Sequence, residues 1–178
     1  MVNPLTVNRY FDWLLQLLKM RSADENTDCR WTSDHWWSNL YELRCGNQVV
    51  ASVRVKGSSG LAELQSRVYT LKRFRLPPYV TLRNPETDDL VARVSLIPNR
   101  GLLAEFNDGE SFRLGSVNWF KREWAWTNEG GETVLLSRHT WWGRNVDVRT
   151  GPGHGVEGKW ALLAVLELAV AKLAFPWS

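Results

Sequence analysis

The sequence predicts a mainly β domain, a meander of antiparallel hairpins closed into a barrel, followed by one buried C-terminal helix. Alternating apolar runs separated by glycine-containing turns occupy about a hundred residues from Leu40 onward. The stretch Lys159–Leu173 is apolar almost all round, as expected of a helix buried within a protein. Across its 178 residues the chain is 44% hydrophobic and 23% charged, which suits one domain with a substantial core.

The N-terminal part, residues 1–38, is predicted to pack on a barrel domain formed by residues 39–178. Leu5–Met20 carries apolar residues at helical spacing on one face and polar residues opposite, which predicts an amphipathic helix. A helix that binds a partner or a membrane surface is the weaker interpretation, and its polar face is not rich in lysine, which argues against the membrane surface. Ser22–Ser38 is polar and contains three of the eleven tryptophans, and we expect an irregular linker there.

Short turns containing asparagine, aspartate or glycine divide the central region into strands. The predicted hairpins join Leu40–Arg44 to Val49–Val55, Tyr79–Arg83 to Leu90–Ile97, Leu102–Phe106 to Ser111–Leu114 and Trp119–Thr127 to Thr133–Thr140. Leu64–Phe74 is predicted as one strand, and Asn145–Thr150 as the last. Closing this meander would leave no strand edge exposed, which favours a barrel.

The C-terminal helix is interrupted by one charge, Glu167. The apolar stretch is shorter than the roughly 20 residues that span a bilayer, so we expect no transmembrane span. A buried carboxylate needs a partner, because an unpaired buried charge is very costly. An inward-pointing arginine, or water at the barrel mouth, would satisfy it, and a structural ion pair is favoured over proton transfer.

The meander followed by an apolar helix resembles the tubby-like barrel family, which includes tubby, LURP-one-related proteins and phospholipid scramblases. The resemblance covers Leu40 to Leu173 and depends on Tyr79–Val94, on the Asn107–Gly109 and Gly130–Gly131 hairpins, and on the helix. It implies a closed barrel of about 10–12 strands around that helix. It also implies a non-enzymatic module that binds anionic phospholipid headgroups at membranes. No acidic calcium loop of the EF-hand type accompanies these motifs.

Four residues are candidates for binding an anion: Arg73, Arg75, His154 and Lys159. In Lys72–Arg75 the two arginines share one side of a strand, and arginine forks suit phosphate. His154 lies in Gly151–Gly158, which matches the glycine pattern of dinucleotide sites, but too little chain follows to complete such a unit. A flexible loop entering the helix is favoured, with an anion at the start of the helix as the alternative.

The remaining composition argues against several classes of function. The net charge is +3 and the arginines are scattered, so we expect no nucleic-acid binding. Cys29 and Cys45 are predicted to be free thiols in a cytoplasmic protein that has no cofactor and no metal site. A protein-interaction or structural domain is one alternative to lipid binding. A small enzyme is the other, with a pocket near Cys29, His35 or Gly151–Gly158.

Overall fold

The computed structural model describes residues 28–33, 39–75, 77–97, 101–118, 122–139, 146–151 and 159–174. The predicted helix Leu5–Met20 and the candidate residue His154 lie outside the described residues. Within them the chain forms twelve strands and one helix. The strands are β1 (Asp28–Thr32), β2 (Leu40–Cys45), β3 (Gln48–Lys56), β4 (Ser59–Leu64), β5 (Arg67–Arg75), β6 (Pro78–Arg83), β7 (Leu90–Ile97), β8 (Gly101–Phe106), β9 (Ser111–Asn118), β10 (Glu123–Asn128), β11 (Thr133–His139) and β12 (Val146–Thr150).

Each strand pairs antiparallel with its neighbours in the chain, and β12 pairs with β1 to close a barrel. The predicted barrel is therefore confirmed. Inward positions alternate with outward ones as strand geometry requires, so that Ala51 and Val53 are buried while their neighbour Ser52 is only half-buried. Closure leaves each described strand hydrogen-bonded on both sides, so none of these strands has a free edge.

The helix α1 (Lys159–Ala169) continues as a π-helical turn (Val170–Ala174) and lies inside the barrel. It contacts β3, β4 and β6 on one side of the wall and β11, which is several strands away from them in the closed barrel. Leu163, Val165 and Leu166 are completely buried, as predicted for a helix without a polar face. No helix among the described residues is long and apolar enough to cross a membrane.

Two glycines with almost the same backbone conformation have very different surroundings. Gly101 at the start of β8 has a φ of +89°, and a Cβ there would lie 2.1 Å from the carbonyl oxygen of Leu114. Gly109 in the β8–β9 turn has a φ of +91° and open space around it. Gly101 is therefore required both by its backbone conformation and by the close approach of two strands, whereas Gly109 is required by conformation alone.

The prediction of one strand over Leu64–Phe74 is confirmed by β5 (Arg67–Arg75) but is wrong at its beginning. The structure contains β4, which the sequence pattern did not reveal, and a two-residue turn at Gln65 and Ser66 that leads into β5. Both turn residues have a positive φ, 50° and 65°, a conformation usually signalled by Asn-Gly or Asp-Gly. Because neither residue is of that type, the local sequence reads as a continuous strand.

The expectation of irregular chain over Ser22–Ser38 is wrong for β1, which fills the gap between β12 and β2. Its Cys29 side chain is buried and lies opposite Cys45 in the β1–β2 register. The two cysteines form a disulfide, so the expectation of free thiols is also wrong. Sequence spacing did not reveal this pair, because the two residues become neighbours only when β1 joins the barrel wall.

Candidate anion-binding pocket at the mouth of the barrel

Arg73 and Arg75 lie at the end of the barrel where the helix finishes, here called the C-terminal mouth. On β5 they continue the inward row of the buried Leu71, and they pair in register with Val80 and Pro78 of β6. Inward positions close to a barrel mouth are near solvent, so charged side chains can occupy them without complete dehydration. The prediction that the two arginines share one face is confirmed.

Arg73 also holds the end of the helix. Its Nη1 donates a hydrogen bond of 2.5 Å to the carbonyl oxygen of Leu173. The last carbonyl groups of a helix have no partner within the helix and carry a partial negative charge, so a guanidinium stabilises them. A guanidinium has five N–H donors, and this contact uses one of them.

Both arginines line a pocket of about 360 Å³ at this mouth. Its wall combines two guanidinium groups with aromatic and aliphatic side chains. The lining residues are Arg73, Phe74, Arg75, Pro78, Tyr79, Val80, Val94, Leu96, Leu102 and Val170. Val80 and Val94 are nearly inaccessible, whereas Leu96 is 44% exposed and Phe74 is 36% exposed. The pocket therefore runs from an apolar floor to a rim that is both apolar and cationic.

Two stacked rings stiffen one side of the pocket. The centroids of Phe74 and Tyr79 are 4.4 Å apart, with the ring planes inclined by 15°. The guanidinium carbon of Arg93 lies 4.3 Å from the centroid of the Tyr79 ring, a cation–π contact. Arg93 lies on the outer face of the wall, between the buried residues Ala92 and Val94, and Glu105 is its register partner on β8.

No acidic side chain in the described part of the chain forms an ion pair with Arg73, Arg75 or Arg93. By contrast, many other basic groups of the barrel wall are paired. The paired residues are Arg30 with Asp147, Arg44 with Glu42, Arg83 with Asp88, Arg138 with Glu123, and Arg149 with Asp28. The guanidiniums of Arg73 and Arg75 are thus not neutralised by an ion pair within the described residues, and they are available to an anion.

A further cation, Lys172, lies at the same end of the helix. Its ammonium group is 5.3 Å from the centroid of the Tyr41 ring. Burial lowers the pKa of Lys172 and raises the pKa of Tyr41, because in each case it disfavours the charged form. Lys172 lines a second, smaller pocket together with Trp31, His139 and Glu167.

Lys159 does not join the two arginines. It begins the helix, roughly 20 Å from Leu173 at 1.5 Å of rise per residue. Its Nζ lies 2.5 Å from Asp108 and 2.6 Å from Glu110. Burial by itself lowers the pKa of Lys159, but the hydrogen bonds and charges of the two carboxylates outweigh it and raise that pKa. Lys159 is therefore already neutralised, and only Arg73 and Arg75 among the predicted residues are brought together.

Glu167 is buried among three partners on the barrel wall, and none of them is the arginine suggested as its partner. Its Oε2 accepts a hydrogen bond of 3.1 Å from Trp126 Nε1. Its Oε1 accepts one of 2.5 Å from Ser137 Oγ and lies 2.9 Å from His139 Nε2. Because Ser137 and His139 contact the same oxygen and Ser137 is 1% exposed, the geometry differs from a serine–histidine–acid relay. The cluster fixes the helix to β10 and β11.

No group of three or more histidine, cysteine or acidic side chains in the described ranges is placed to hold a metal ion. The Glu167 cluster and the Arg73–Leu173 contact both join residues far apart in the chain. The sequence indicated one member of each contact, namely the charge of Glu167 within an apolar helix and the two arginines on one face of a strand. It did not indicate their partners.

No family model matches the chain, and no curated protein matches it. Among solved structures, the X-ray structure of a protein from Arabidopsis thaliana is similar, with a TM-score of 0.57 and 15% sequence identity. The match covers 82% of this chain and 91% of the plant protein. The barrel fold is shared. At this level of identity the similarity concerns the fold alone.

Proposed function

We propose that this chain is a non-enzymatic module of the tubby-like kind, which binds anionic phospholipid headgroups at a membrane surface through the pocket at its C-terminal mouth. The observation that carries the proposal is the pair of arginines, Arg73 and Arg75. They share one inward face, have no acidic partner among the described residues, and line a pocket of about 360 Å³.

The chemistry of the pocket suits a phosphate group at the surface of a bilayer. A guanidinium can bind two phosphate oxygens at once, and it is less strongly hydrated than an ammonium group. Arg75 stands at the rim, while Arg73 is braced against the helix end. The exposed apolar side chains of Phe74 and Leu96 adjoin the arginines, so they can enter the lipid interface as the guanidiniums meet phosphate.

Vesicle co-sedimentation tests this proposal. We expect the protein to bind anionic vesicles and not neutral ones, and we expect binding to weaken as salt screens the charges. Arg75→Gln should reduce the affinity about fivefold, since one basic residue near an anionic surface contributes about 1 kcal/mol. Arg75 is a better target than Arg73, because replacing Arg73 also removes the bond to the helix end.

Arg113→Gln is the matched control. Arg113 is exposed on β9 near the opposite end of the barrel, and it loses the same charge when substituted. If the two variants lose equal affinity, binding follows net charge alone and the pocket is not the site. If the wild-type protein binds no anionic vesicle at low salt, the proposal is wrong.

A further inference from the structure

The apolar part of the pocket is larger than a headgroup site requires. Val80, Val94, Leu102 and Val170 form a wall continuous with the barrel core, and the rim residue Leu96 is half open to solvent. A headgroup bound at the arginines would be fully polar and would leave this wall facing water. Ligand sites that are mostly apolar, with a few polar groups fixing orientation, bind molecules of the same mixed character.

We infer that the pocket binds an anionic amphiphile by both of its parts: the acidic head on Arg73 and Arg75, and the adjoining methylenes of one acyl chain along the aliphatic wall. This inference rests on the proposed function and narrows its ligand. A volume of about 360 Å³ is at the lower end of the range for small-molecule sites, so a head with part of one chain fits and a whole two-chain lipid does not.

The helix contributes to this wall where its geometry changes. The α-helix becomes a π-helical turn at Val170, and Val170 is the helix residue that lines the pocket. The same turn ends next to the carbonyl group of Leu173 that Arg73 binds, so one short segment positions both the apolar wall and a guanidinium.

A chain-length series gives the direct test. Inorganic phosphate and alkyl phosphates from butyl to dodecyl, kept below their micelle concentrations, are titrated calorimetrically into the full chain. Each methylene that enters the pocket should strengthen binding about fourfold, as expected from the free energy of burying one CH₂ group. The gain should stop when the apolar wall is covered. Equal affinity for phosphate and for all alkyl phosphates would overturn the inference.

Two substitutions separate the apolar contribution from the ionic one. Leu96→Gln should flatten the chain-length dependence, so that the ratio of the affinity for dodecyl phosphate to the affinity for inorganic phosphate falls. Leu61→Gln is the matched control, because Leu61 is 48% exposed on β4 and does not line the pocket. Arg75→Gln should weaken binding of every member of the series by a similar factor. A flattened dependence in the Leu61 variant would also overturn the inference.

The outcomes distinguish this inference from the proposed function. Vesicle binding without any chain-length dependence would retain the headgroup site and reject the acyl chain. Absence of binding to both vesicles and alkyl phosphates would reject both. Competition identifies the natural source of the chain. Displacement of the protein from anionic vesicles by dodecyl phosphate, and much less by butyl phosphate at the same concentration, supports entry of a membrane lipid chain. Binding of dodecyl phosphate without displacement would place vesicle binding outside the pocket and reject a membrane lipid as its ligand.

Discussion

Replacing Glu167 by alanine should cost about 2–6 kcal/mol of unfolding free energy. The carboxylate is the acceptor for Trp126 and Ser137, which are 0% and 1% exposed. Leaving a buried donor without its partner costs about 1–3 kcal/mol, and two are left here. His139 adds less, because its side chain is 28% exposed and can reach water. The loss is a large part of the 5–15 kcal/mol that typically stabilises a domain.

Glutamine at the same position tests the origin of that cost. Its amide oxygen can accept from Trp126, and its NH₂ group can donate to the hydroxyl oxygen of Ser137. Neutral hydrogen bonds contribute about 1 kcal/mol where bonds to a charged group contribute about 1.5–3 kcal/mol. Glu167→Gln should therefore lose only about 1–2 kcal/mol, so that stability falls in the order wild type, glutamine, alanine.

Urea denaturation followed by far-ultraviolet circular dichroism measures these differences, provided that the slope with denaturant is the same for each variant. Glu105→Ala is the control, since Glu105 is exposed on the barrel wall and its removal should change stability by less than about 0.5 kcal/mol. If Glu167→Ala is no less stable than this control, or if the glutamine and alanine variants are equally stable, the carboxylate does not stabilise the helix through its hydrogen bonds.

Gly101→Ala forces a side chain against a neighbouring strand and should lower the free energy of unfolding by at least about 2–3 kcal/mol. Gly109→Ala should lower it by about 1 kcal/mol, and thermal unfolding measures both changes. Equal shifts in Tm would contradict the close approach of the two strands. Cys45→Ser removes a disulfide between residues 16 positions apart and should cost about 3 kcal/mol; an unchanged Tm in non-reducing buffer would contradict that crosslink. The hydrogen bond from Lys159 holds the pKa of Asp108 below its usual value of 3.8. The ionised Asp108 side chain therefore stabilises the fold above pH 3.8, and this stabilisation is lost as the pH falls through the lower pKa of the folded state. The difference in stability between wild type and Asp108→Asn should be under about 1 kcal/mol at pH 7 and should vanish in acid, and a difference that is independent of pH would refute this.

Local patterns in the sequence determined most of the wall and the place of the helix. Alternation of apolar and polar residues fixes which side of a strand faces inward, and turns such as Asn107–Gly109 fix where hairpins reverse. An apolar surface all round Lys159–Leu173 requires burial whatever surrounds it. The shared face of Arg73 and Arg75 follows from the same period of two. Each of these features depends on residues close together in the chain.

Only the tertiary structure decided the contacts between remote residues. Barrel closure brings Cys29 opposite Cys45, and it places the donors for Glu167 on strands 28 to 41 residues earlier in the chain. It also brings Arg73 to the carbonyl group of Leu173, 100 residues away. Such contacts depend on strand register and on the position of the helix in the lumen, which no local pattern encodes. The pocket at the C-terminal mouth exists for that reason, because its walls come from four strands and the helix end.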